Sequence, residues 1–144
     1  MHHREFFNRV DEKKVAAAIH RAERGSSAQV RVFVSHHHDE DPLEAAKGHF
    51  HQLGMGKTKH RNAVLIFFAP ESRKFAIYGD VGVDQKAGSA FWHAVRDEIV
   101  PHLKAGEFTT AIVHAVDRVG GKLAEWFPAQ GPHRNELPDA IAHD

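Results

Sequence analysis

The stretch Ala63-Val64-Leu65-Ile66-Phe67-Phe68-Ala69, followed by Pro70-Glu71-Ser72 and then Lys74-Phe75-Ala76-Ile77-Tyr78-Gly79, decides the fold. The first segment is apolar throughout, as expected of a central strand covered on both faces. Pro70-Glu71-Ser72 leaves room only for a tight return, so the second segment runs back as the antiparallel arm of a hairpin.

Toward the N-terminus, Ala28–Ser35 reads as another strand. Val30, Val32 and Val34 alternate with Gln29, Arg31 and Phe33, a half-buried pattern rich in β-branched residues. A helix from about Asp11 to Arg24 precedes it, with Val15, Ile19 and Ala22 at helical spacing, Asp11 as cap and Gly25 at the stop. Between the strands, Asp41-Pro42-Leu43-Glu44 carries a cap residue, a proline at the first helical position and a capping-box Glu. Leu43, Ala46, Phe50 and Leu53 mark the buried stripe of that helix, and Gly54 ends it.

Two helices follow the hairpin. One spans roughly Gln85–Ile99, with Phe91, Val95 and Ile99 on one face and Pro101 just beyond; the other spans about Glu107–Phe127. Trp92 and Trp126 fall near the apolar stripes and read as packing residues rather than binding aromatics. The fold class is therefore α/β. A small mixed sheet carries helices on both faces, its first strand parallel to the second through a right-handed crossover, and the second and third antiparallel. Residues 1–128 form one domain, and Ala129–Asp144, with Pro132, Pro138 and scattered charge, reads as a flexible tail.

Bulk properties narrow the function. The 144 residues suit one domain, and 42% hydrophobic with 26% charged residues is ordinary globular composition. Lys plus Arg and Asp plus Glu both number 19, so no global field draws in a polyanion, and nucleic acid is not expected as the main partner. Cysteine is absent, which removes disulfides, Cys-ligated zinc and every cysteine nucleophile and fits a reducing cytoplasm. No signal peptide is read at the N-terminus, and no apolar run approaches the ~20 residues of a membrane span. A soluble, cytoplasmic domain is the expectation.

The strand directions gather polar residues at one end of the sheet: Glu23, Ser26, Ser27 and Gln29, then Lys57, Thr58, Arg61 and Asn62, then Gly79, Asp80, Gly82 and Asp84. Asp80 and Asp84, with Gly82 between them, could supply oxygen ligands to a hard cation. The plainer alternative, that Asp84 caps the next helix and Asp80 fills a turn, weighs more on spacing alone. The opposite end carries His36-His37-His38-Asp39-Glu40-Asp41 and Glu71. Adjacent histidines in a loop seldom converge on one ion, so a solvated loop with adventitious nickel or zinc affinity is the favoured reading. Gly54-Met55-Gly56-Lys57-Thr58 lacks the first glycine of a P-loop and follows a helix rather than a strand.

Lys57-Thr58-Lys59-His60-Arg61-Asn62-Ala63-Val64-Leu65-Ile66, the hairpin into Tyr78-Gly79-Asp80-Val81-Gly82, Trp92, and Leu103-Lys104-Ala105-Gly106-Glu107-Phe108 together resemble the TPM domain, over about Val10 to Pro128. The resemblance implies a three-layer α/β/α sandwich. Members of that family include thylakoid lumen proteins linked to photosystem II repair, with a proposed acid phosphatase activity, and bacterial membrane-anchored proteins; some bind calcium or other divalent ions. Carried over by position, it implies Asp80 and Asp84, with Glu23 nearby, as ligands of a divalent ion, calcium or magnesium, and Thr58, Arg61 and Asn62 as signature or anion-binding residues. Ala63 stands where the family commonly has Gly, Ser26-Ser27 where a Thr is common, and the signal peptide and anchor of most relatives are not read here.

Three functions follow. The leading one is a divalent-metal-binding interaction or assembly module with a protein partner. The second is a metal-assisted phosphatase in which the ion polarises a phosphoryl oxygen and Arg61 clamps the anion. The third is a structural domain in which Arg61 and Asp80 form a buried ion pair.

Overall fold

The computed structural model describes residues 1–129 and 140–144. The hydrophobic run decides the centre as expected. Strand β2 (Ala63–Ala69) is buried at every residue, flanked by β1 (Gln29–Val34) in parallel and β3 (Lys74–Gly79) in antiparallel. The register aligns Gln29 with Ala63 and Val64 with Gly79, so the starts of β1 and β2 and the end of β3 lie together. The polar end predicted from topology therefore exists.

Helices cover both faces. On one, α2 (Glu12–Arg24), α4 (Val81–Lys104) and α5 (Phe108–Trp126) enclose Val30, Val32, Val64, Ile66 and Phe68. On the other, α3 (Pro42–Gln52) and Met55 cover Phe33, Leu65 and Phe67, with Ala46 and Phe50 as the helix's own contribution. Fully burying a side chain of this size contributes about 1.5–3 kcal/mol. The two-sided burial of β2 is thus the main reason the layers stay together.

Several elements differ from the reading of the sequence. A short helix, α1 (His3–Asn8), precedes the expected first one because Phe6 finds Phe68 and Phe108 at ring-centroid distances of 5.7 and 4.6 Å. Helix α4 starts at Val81 rather than Gln85, because the Asp80 carboxylate caps the Val81 N–H at 2.8 Å. Gly88 then breaks α4 with φ +71°, and Pro101 lies inside its last turns. Leu43, expected in the buried stripe, is 53% exposed and lines a groove with residues of β3 and α4. Trp92 and Trp126 are half-buried against the larger core, as expected.

The expected tail also changes character. Ala142–His143 forms a fourth strand, β4, parallel to β1, with Phe33 opposite Ala142 and Val34 opposite His143. The sheet order is β3-β2-β1-β4. Ile141 and Ala142 are buried, and this burial of two apolar residues docks a segment whose composition read as frayed. The rest of that segment, 130–139, lies outside the described residues.

Candidate functional site

At the signature end, the chain between α3 and β2 closes a 3-10 turn at Met55–Lys57 and then bends at Arg61, whose φ of +50° is unusual for a residue with a side chain. Four contacts hold the bend. The Arg61 N–H donates to the Thr58 carbonyl at 3.2 Å, and the Gly82 N–H donates to the Arg61 carbonyl at 2.9 Å. The Arg61 Nε–H and Nη2–H donate to Asp80 Oδ2 and Oδ1 at 2.7 and 2.8 Å. Only glycine fits at position 82, where a Cβ would come within 2.5 Å of the His60 carbonyl oxygen and 2.7 Å of that of Arg61.

The other signature residues close the same corner. The Asn62 N–H donates to Thr58 Oγ1 at 3.3 Å, and Asn62 Nδ2–H donates to Ser27 Oγ at 3.3 Å, tying the start of β2 to the start of β1. Thr58, Asn62 and Asp80 are buried, while half of the Arg61 side chain faces solvent. The hydrogen bond and charge of Asp80 push the Arg61 guanidinium pKa up.

The three candidate cation ligands do not assemble. Glu23 is buried and its Oε2 accepts from the Val30 N–H at 2.8 Å. Both Asp80 oxygens serve Arg61, and Oδ1 also caps α4. Asp84 lies in the first turn of α4, and its Oδ1 accepts from Trp92 Nε1–H at 3.3 Å. A calcium ion takes roughly six to eight oxygen ligands. Among the described residues, these three carboxylates are not among the groups of three or more ligand atoms that lie within 4.8 Å of one another.

Two such groups occur at the opposite end. His36, His37 and Asp144 bring one ligand atom each within 4.8 Å of one another, and so do His2, His3 and Glu71. The His3 and His36 rings, 5.1 Å apart, connect them. Glu71 accepts from both the backbone N–H and the ring of His3, and these bonds hold its carboxyl below the usual carboxylate range. Burial alone would raise the Asp144 carboxyl; the His36 N–H, the Ser35 hydroxyl and the flanking imidazoles outweigh it and lower the pKa. Asp144 escaped sequence reasoning because only the pairing of β4 brings it to the loop after β1.

A groove of about 480 Å³ runs beside β3, the outermost strand on its side of the sheet. Leu43 and Val81, the large hydrophobic residues most exposed among those described, at 53% and 51%, both line it. Ile77 and Trp92 form its wall, and Asp84 and Arg96 also line it. No spacing in the sequence marked it, because its parts come from α3, β3 and α4.

A mixed four-stranded sheet between helical layers, stapled at one end by an Arg–Asp pair and an Asn–Ser bond, defines a small α/β/α sandwich with its polar signature in a single corner. The chain belongs to the TPM domain family, whose match covers residues 1–122. It is similar to the BA42 protein of the psychrophilic bacterium Bizionia argentinensis, known from an NMR structure. The two share 34% identity over 92% of each chain, with a TM-score of 0.84. The N-terminal domain of the cg2496 protein of Corynebacterium glutamicum shares the fold at 17% identity, with a TM-score of 0.60 over 86% of this chain and 77% of that one. No curated protein matches. Among the described residues no helix is long and apolar enough to cross a membrane.

Proposed function

We propose that this TPM domain is an interaction module that takes up an extended, apolar segment of a protein partner along the edge of β3 that no described strand pairs. One observation carries the reading: the two most exposed large hydrophobic side chains, Leu43 and Val81, line the same groove beside an edge strand. An edge strand offers backbone N–H and C=O groups to an incoming strand, and flanking pockets select its alternate side chains. The signature corner supports the groove, because Asp80 fixes the start of α4 and hence the position of Val81. The phosphatase reading gains less support, since the guanidinium of Arg61 is already engaged by Asp80.

A selection of displayed peptides against the wild type, with counter-selection against the Leu43→Glu/Val81→Glu double variant, tests this. Amide hydrogen exchange of the complex then locates the contact. Slowed exchange within Lys74–Gly79 is the expected result; protection elsewhere with β3 unchanged would refute the reading.

A further inference from the structure

Beyond the groove, the histidine end has the chemistry of a metal site. Strands β1, β2 and β4 are parallel, so their carboxyl ends share one edge of the sheet. From β1 the chain crosses to β2 on one side, whereas β4 pairs on the other side of β1. Open α/β sheets commonly bind ligands outside the carboxyl ends of their strands. His36 and His37 follow β1 there, and Asp144 follows β4.

The two neighbouring histidines reach the same carboxylate by using different ring nitrogens. His36 Nδ1 lies 2.8 Å from Asp144 Oδ1, and His37 Nε2 lies 3.4 Å from Asp144 Oδ2. A tetrahedral ion with bonds of about 2.0–2.1 Å sets its donors roughly 3.3 Å apart. The His37 separation is close to that spacing and the His36 separation is shorter, each to a different oxygen of the carboxylate. The carboxylate is fixed by the Ser35 hydroxyl at 3.0 Å and the His36 N–H at 2.8 Å, and the same hydroxyl accepts the His37 N–H at 3.1 Å. Such supporting hydrogen bonds orient ligands and raise affinity.

A further imidazole stands alongside. His49 stacks on Phe33 at 4.2 Å, and its Nδ1 faces Gln52 Oε1 at 3.2 Å. Its Nε2 lies 3.8 Å from Asp144 Oδ2.

We propose that His36, His37 and Asp144 bind a borderline divalent ion of the zinc, cobalt or nickel class, and that this ion clamps β4 to the end of β1. Imidazole donors favour these metals over calcium or magnesium, which prefer all-oxygen sets. His36 and Asp144 are 108 residues apart in the chain, so the ion joins segments that only the fold brings together.

Zinc titration calorimetry and the visible absorption of bound cobalt(II) test the proposal on the full chain. Wild type should take up one zinc ion, and cobalt should give the intense bands of four-coordinate geometry. His36→Gln/His37→Gln should weaken zinc at least tenfold. His37→Gln alone, at a side chain 64% exposed, should weaken it with the circular dichroism unchanged. His51→Gln/His93→Gln, which removes two exposed histidines elsewhere, should bind as wild type does. No stoichiometric zinc uptake by the wild type, or equal uptake by the His36→Gln/His37→Gln variant, would overturn the proposal. Peptide binding at β3 is read separately, so either result leaves that reading standing or falling on its own test.

Discussion

The two ends of this sheet hold similar numbers of polar side chains and use them in opposite ways. At the signature end each acid is matched to a fixed donor: Glu23 to the Val30 N–H, Asp80 to Arg61 and the start of α4, Asp84 to Trp92. At the histidine end several imidazoles share a few carboxylates, with His36, His37 and His49 all within 4 Å of Asp144. A crowd of polar residues is therefore not in itself a binding site. What matters is which groups engage each carboxylate, a guanidinium and an indole at one end and clustered imidazoles at the other, and that is visible only in three dimensions.

The sharpest way to break the contrast is Gly82→Ala. Its Cβ would press on two backbone carbonyls that cannot step aside, and overpacking of this kind costs about 3 kcal/mol. Chemical denaturation should show the loss, and β3 binding should weaken with it. Asp80→Ala comes next. Loss of a helix cap and of buried charged hydrogen bonds costs about 2 kcal/mol, again read by denaturation.

A third change gives a reference point away from both ends. Glu98 accepts from Arg118 at 2.7 and 3.1 Å and meets His114 at 2.6 Å, and Arg118 first, then His114, hold its carboxyl down to about 2. A folded pKa below the unfolded one gives stability that is complete above the ordinary carboxylate range and fades as pH falls toward about 2. Wild type should exceed Glu98→Gln in stability at neutral pH, and their acid unfolding curves should converge near that lower limit. The smallest effect belongs to the histidine end. Without metal, His36→Gln/His37→Gln should shift stability by no more than about 0.5 kcal/mol, because both side chains are exposed. With zinc present the gap should widen through ligand linkage.

Much of this arrangement could be read from residues alone. The β2–β3 hairpin followed from an apolar run and a three-residue turn and brought the Arg61 and Asp80 segments to one end, and the crossover rule added the start of β1. Both inferences use short-range pattern plus one handedness rule. The parts that escaped depend on distant partners. A two-residue strand such as Ala142–His143 has no periodicity to detect, and so the site of Asp144 stayed hidden. Gly82 made the start of α4 read as loop, although a close backbone approach demands it, and Gly88 was read as helix interior where it breaks the helix. Leu43 carries the spacing of a buried residue, but it lies at a groove rather than in the core.

The unequal covering of the sheet has a bearing on how the molecule can go wrong. Helix α3 is the main cover over Phe33, Leu65 and Phe67, whereas three helices share the other face. If α3 swings away, it bares an apolar strand surface next to the edge of β3 that no described strand pairs, the combination that seeds strand-to-strand aggregation. Shelf life and folding yield should then track the seating of Phe50 in α3 more closely than any residue of the larger core, and a cross-link from α3 to β3 should protect the protein from clumping without touching either polar end.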